Sequence, residues 1–161
     1  MMTTRLLGAI AAVALLAACE SSTDTTAATG TGGASTGVGA GPRPGSQEDL
    51  VANVGDRVFF ATDRSTIASD QRPVLDRQAR WLGQYPQAAV TVEGHADERG
   101  TREYNLALGQ RRANAARDVL AAGGVAGARI STISYGKDRP TALGSTEDAW
   151  AQNRRAVTAV R

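Results

Sequence analysis

Apolar positions fall into two regimes along this chain. From Gln47 onward they recur with regular periods; before that they form one short block and then nearly vanish. Asp56–Thr62 (DRVFFAT) alternates and is rich in β-formers, which predicts a strand. In SDQRPVLDRQARWLGQYP, Leu75, Ala79 and Leu82 recur at helical spacing. Ser69 and Asp70 are candidate caps, Pro73 suits a first turn, and Gly83 and Pro86 are expected to end the helix. AAVTVEG, from Ala88, reads as a second strand with Val90 and Val92 on one face. A longer helix is expected from about Arg102 to Ala122. Its stripe of Leu106, Gly109, Ala113, Ala116 and Leu120 is mostly small, so it should lie close against a sheet, and Gly123–Gly124 should stop it. RISTISYG predicts a third strand and STEDAWAQNRR a short helix, with Ser145 as cap and Asp148 three residues on. AVTAVR predicts the last strand. The order predicts an α/β (α+β) sandwich, one sheet with helices on one side.

The first block has another character. Leu6–Ala18 is an apolar run of 13 residues behind Arg5, too short to span a bilayer and flanked as a signal peptide is, which assigns residues 1–18. It ends Leu16-Ala17-Ala18-Cys19, which resembles a bacterial lipobox, whose cysteine is acylated as the first mature residue. Several acyl chains on one residue give stable anchoring where a single chain holds weakly. Glu20 follows where aspartate is the usual inner-membrane retention signal, so the expected site is the outer membrane. Residues 19–46, mostly Ser, Thr, Ala and Gly, read as a flexible tether; about 27 such residues span roughly 30 Å relaxed and about 90 Å stretched.

Charge narrows the chemistry. The formal net charge is +2, with no basic run dense enough for nucleic acid and only 4% aromatic residues to stack bases. Lys137 is the only lysine, so arginine, suited to forked contacts with carboxylates, carries nearly all the positive charge. One cysteine and one histidine exclude an internal disulfide and a Cys/His zinc cluster.

The single histidine sits in EGHADERGTREYN, Glu93–Asn105, among acids and arginines. Glu93, His95 and Asp97 alternate and would share a face on a continuing strand, as metal ligands require; Gly94 and Gly100, however, bracket a turn. No nucleophile lies beside His95 in a recognisable motif, which argues against catalysis. Recognition is the third reading. Asp97 ends the strand, and Asn105, Leu108 and Arg112 share a helix face at i, i+3 and i+7, distinct from the packing stripe. A carboxylate and a guanidinium in one cleft suit a zwitterion. Spacing leaves open whether Asp97 and Arg112 only pair with each other.

VTVEGHADERGTREYNLALGQRRANAARDVL resembles the core motif of the OmpA-like peptidoglycan-binding domain family, most closely its lipoprotein branch. VFFATDRSTI, ISYGKDRP and AQNRRAV extend the similarity over most of 47–161. The resemblance implies a βαβαβ(α)β fold with one mixed four-stranded sheet and helices on one face. It implies no enzyme activity and no cofactor or metal. The ligand would be peptidoglycan, gripped at the diaminopimelate zwitterion of the stem peptide: Asp97 on the ammonium, Arg112 on the carboxylate. Asn105 and Leu108 would shape the pocket, backbone amides after Phe60, at Ala61, would complete the carboxylate's cradle, and Asn153 and Arg154 would lie near it. His95 and Asp63 would support the site. Ala61 stands where many relatives carry aspartate. The implied partners are TolB and other Tol proteins, with a role in envelope integrity and outer-membrane constriction at division, the domain facing the periplasm. An adaptor that never touches the wall and a metal-assisted wall hydrolase are the rival readings.

Overall fold

The computed structural model describes residues 41–161; the expected signal peptide, Cys19 and the expected tether as far as residue 40 lie outside the described residues. Gly45 and Ser46, assigned to the tether from sequence, belong to the folded unit. The Ser46 side chain caps a short helix, α1 (Gln47–Asn53), and Gly45 N–H donates to Asp49 at 2.9 Å. That helix is not anticipated by periodicity, because only Leu50 of its apolar residues is buried and Val51 is exposed.

Then come β1 (Arg57–Phe59), α2 (Arg72–Gln84), β2 (Val90–His95), α3 (Arg102–Ala122), β3 (Ile130–Gly136), α4 (Glu147–Asn153) and β4 (Arg155–Val160). The sheet order is β1-β4-β2-β3, with β2 and β3 parallel and β4 antiparallel to both its neighbours. The expected mixed four-stranded α/β sheet is therefore present.

Several boundaries differ from expectation. β1 covers three residues, not seven, because the chain after Phe59 leaves the sheet towards α2. α2 opens at Arg72 without a side-chain cap from Ser69 or Asp70, and Gly83 lies inside it, before Gln84. Thr146, not Ser145, caps α4: its hydroxyl accepts from Ala149 N–H at 3.4 Å.

Leu75, Ala79 and Leu82 of α2 and Ala113, Ala116 and Leu120 of α3 meet Val58, Val90, Val92 and Ala156 of the sheet in one core. Two polar side chains within it are mutually satisfied: Thr158 Oγ1 donates to Gln78 Oε1 at 2.8 Å, and Gln78 Nε2 donates to Gly55 O at 2.7 Å. Such pairing is what makes buried polar groups tolerable.

The small stripe has a specific cause. Gly94 on β2 and Gly109 on α3 face each other, and a Cβ on Gly109 would sit 2.8 Å from Gly94 O. No real Cβ approaches a carbonyl oxygen that closely, so only glycine lets α3 press onto β2 here. That contact sets the depth at which the first two turns of α3 meet the end of β2.

Candidate ligand-binding site

Asp97 follows the last residues of β2. Ala96 N–H still pairs with Gly136 O at 2.8 Å; then the chain turns, with Gly100 in the left-handed region at φ 91°. Thr101 stops the turn and starts α3, its hydroxyl accepting from Tyr104 N–H at 3.2 Å. The turn's carbonyls are tied down. Asn105 Nδ2 donates to Arg99 O at 2.8 Å, and Lys137 Nζ donates to Gly100 O at 2.7 Å and Glu98 O at 3.2 Å.

A cavity of about 300 Å³ opens beside this turn, lined by Thr62, Asp63, Asp97, Arg99, Gly100, Tyr104, Asn105, Leu108 and Arg112. Asp97, Arg112, Asn105, Leu108 and Asp63, all singled out from sequence, meet there. Asn105, Leu108 and Arg112 do share a helix face, but that face is not separate from the packing stripe. Asn105, Leu108, Gly109, Arg112 and Ala113 are all buried, and Leu106 is only half-buried. Near its start α3 is covered by both the sheet and the loop after β1, so the two faces merge.

Arg112 is fully buried. Its Nε donates to Arg64 O at 2.8 Å, Nη1 to His95 O at 2.8 Å and Nη2 to Ala61 O at 3.2 Å. A guanidinium has five N–H donors, so two remain beyond these three carbonyls. Its carbon also lies 5.2 Å from the centroid of the Phe60 ring. Burial pushes the guanidinium down to about 10, against the opposing pull of Asp97, and it remains charged at neutral pH. The side chain is thus a staple between the end of β2 and the loop after β1, with capacity to spare for a ligand oxygen.

Asp97 and Arg112 do not satisfy each other directly. Asp97 Oδ2 lies 2.6 Å from Arg99 Nη2 and 3.5 Å from Arg154 Nη1; Oδ1 accepts from Arg99 N–H at 3.1 Å and Arg99 Nε at 3.2 Å. Burial alone would raise the Asp97 carboxyl, but the hydrogen bonds from Arg99 outweigh it and hold the group below the ordinary carboxylate range.

The other expected residues fall into distinct places. Arg154 is buried and joins the loop after β1 to α4: Nε donates to Phe60 O at 3.0 Å and Nη2 to Glu147 at 2.6 Å. Both backbone groups of Phe60 are engaged, since its N–H donates to Arg154 O at 2.9 Å. Ala61 offers its carbonyl to Arg112 while its side chain is exposed. Asn153 is outside the cavity lining. Its side chain accepts from Thr141 and Ala142 N–H at 2.7 and 3.1 Å and donates to Ala142 O at 2.8 Å, stapling the loop before α4.

His95 is 2% exposed, and neither ring nitrogen finds a hydrogen-bond partner among the described residues. Glu93 Oε2 lies 3.8 Å from Nε2. Burial, then the Arg155 charge, lowers its pKa from the ordinary 6.5 to about 4, so the ring is neutral. The register shifts between Gly94 and His95, so Glu93, His95 and Asp97 do not continue as one alternating face, and Asp97 turns into the cavity alone of the three.

Arg99, Thr62 and Tyr104 also line the cavity and were not singled out from sequence; Gly100, expected only as a turn residue, lines it too. Tyr104 donates its hydroxyl to Asp63, and Asp63 sits in the left-handed region at φ 57°. Arg99 lies in the quoted motif two residues past Asp97, the reach of a local side-chain pair, and that spacing was the available signal.

Residues 59–154 match the OmpA family. The peptidoglycan-associated lipoprotein of Rhizobium meliloti is 60% identical over 123 residues, 76% of this chain and 70% of that one. The peptidoglycan-associated lipoprotein of Haemophilus influenzae is 45% identical over 147 residues, 91% of each chain. The crystal structure of the peptidoglycan-associated lipoprotein from Burkholderia pseudomallei is similar with a TM-score of 0.66 at 39% identity, covering 70% of this chain and 100% of that one. The chain belongs to the OmpA family, and within it to the peptidoglycan-associated lipoproteins, non-enzymatic proteins of the cell envelope.

Proposed function

We propose that the cavity grips peptidoglycan non-covalently at the free zwitterion of a diaminopimelate side chain in the stem peptide. The observation that carries this reading is the meeting, in one cavity, of the Asp97 carboxylate with a buried Arg112 guanidinium that keeps two donors in hand. The carboxylate suits the ammonium, and the guanidinium suits the carboxylate. Leu108 supplies an apolar wall for the methylene stem, and Asn105 holds the turn that presents Asp97.

In the same proposal Cys19 is acylated after removal of residues 1–18 and anchors the chain in the outer membrane. Residues 19–44 bridge part of the periplasm, and the folded unit holds the wall. TolB and the other Tol proteins are the partners proposed from family membership, with a role in envelope integrity and constriction at division.

Calorimetric titration of the full chain in detergent with two stem peptides tests the grip. One peptide carries diaminopimelate; the other carries lysine, whose side chain has the ammonium but no carboxylate. Binding of the first at least about tenfold tighter, which is about 1.4 kcal/mol, supports the proposal. Equal affinities contradict it.

A further inference from the structure

We propose that Arg99 is a built-in competitor for the ligand's ammonium: in the free protein its guanidinium occupies the Asp97 carboxylate, and ligand binding displaces it. The inference rests on the proposed grip at Asp97 and Arg112.

A carboxylate has about four acceptor positions. On Asp97 all four are taken: two on Oδ1 by Arg99 N–H and Nε, two on Oδ2 by Arg99 Nη2 and Arg154 Nη1. An incoming ammonium must displace one of these donors, and they differ in freedom. The Arg99 backbone is pinned, because the carbonyls of Glu98, Arg99 and Gly100 are all held by Lys137 and Asn105. The Arg154 side chain is 7% exposed and is also fixed on Phe60 O and Glu147. The Arg99 side chain is 39% exposed, and its remaining contacts are weak or sliding: Thr62 Oγ1 at 3.4 Å and the face of Trp150, 4.1 Å from the ring centroid. A guanidinium can shift across an aromatic face while keeping its attraction to the ring. Arg99 therefore leaves Asp97 by side-chain rotation alone, with Trp150 as its resting place.

Two consequences follow. The ammonium contact is opposed by loss of the Arg99–Asp97 pair, which keeps the grip reversible. A bare amine gains too little to displace Arg99, whereas a zwitterion adds its carboxylate contact to Arg112.

Full chains carrying Arg99→Gln and Asp97→Asn are titrated beside wild type with the diaminopimelate and lysine stem peptides, with melting followed by circular dichroism. Arg99→Gln is expected to bind the diaminopimelate peptide about three- to tenfold tighter. Unchanged or weaker binding by Arg99→Gln, with Asp97→Asn also weak, overturns the competitor and leaves the grip standing. An Asp97→Asn chain that binds like wild type removes both. On the unaltered chain, the Arg99 Nε–H resonance should move when the diaminopimelate peptide is added; saturation of the site without that movement also overturns the competitor.

Discussion

Arg112 Nη1 donates to the main-chain oxygen of His95 at 2.8 Å, tying the third turn of α3 to the last residue of β2. The same guanidinium holds Arg64 O and Ala61 O, so one buried cation fixes the two segments that frame the cavity. Removing it leaves three carbonyls without their donor, and hydrogen bonds to charged groups are worth about 1.5–3 kcal/mol each. Arg112→Ala is expected to lose about 3 kcal/mol or more of stability in urea unfolding, as well as ligand affinity. Arg112→Lys cannot span three acceptors with one ammonium and should recover only part of the loss.

Asn153 separates support from contact. Its amide is spent on the loop at Thr141 and Ala142 and faces no part of the cavity lining. Asn153→Ala should cost about 1–3 kcal/mol of stability. Affinity of the folded variant for the diaminopimelate peptide should stay within about twofold of wild type, read by titration well below the melting temperature.

His95 makes stability depend on pH. Its folded value of about 4 lies below the ordinary 6.5, so between these values the unfolded chain binds more protons than the folded one. Its contribution is complete above pH 6.5 and declines as pH falls towards 4, by about 3 kcal/mol over the whole window. His95→Phe removes the titration while filling the space beside Tyr135, whose ring centroid is 5.5 Å away. Unfolding free energies measured from pH 7 to pH 4.5 should fall more steeply for wild type than for the variant.

Much of the fold is legible in the apolar periods. Val90 and Val92 share the buried face as their alternation requires, and the stripe of small residues on α3 does press against β2 at Gly94. α1 is not legible, because one buried leucine in seven residues carries no period. The choice between Ser145 and Thr146 as cap is not legible either, since adjacent hydroxyls each satisfy the local pattern and tertiary packing decides. At the site, Asp97 and Arg112 stand out by residue type, spacing and family motif. What spacing cannot reveal is that Asp97 faces Arg99 and Arg154 in place of Arg112. That pairing depends on α4, which brings Trp150 and Arg154 to the turn from more than fifty residues away.

In the proposed function, Asp97 holds the wall. The most direct measurement is co-sedimentation of the full chain in detergent with purified peptidoglycan, wild type beside Asp97→Asn, with both melting curves recorded. Wild type should pellet with the wall, while the variant, still folded, should bind at least about tenfold more weakly, about 1.4 kcal/mol. Equal pelleting of two folded chains would contradict the account.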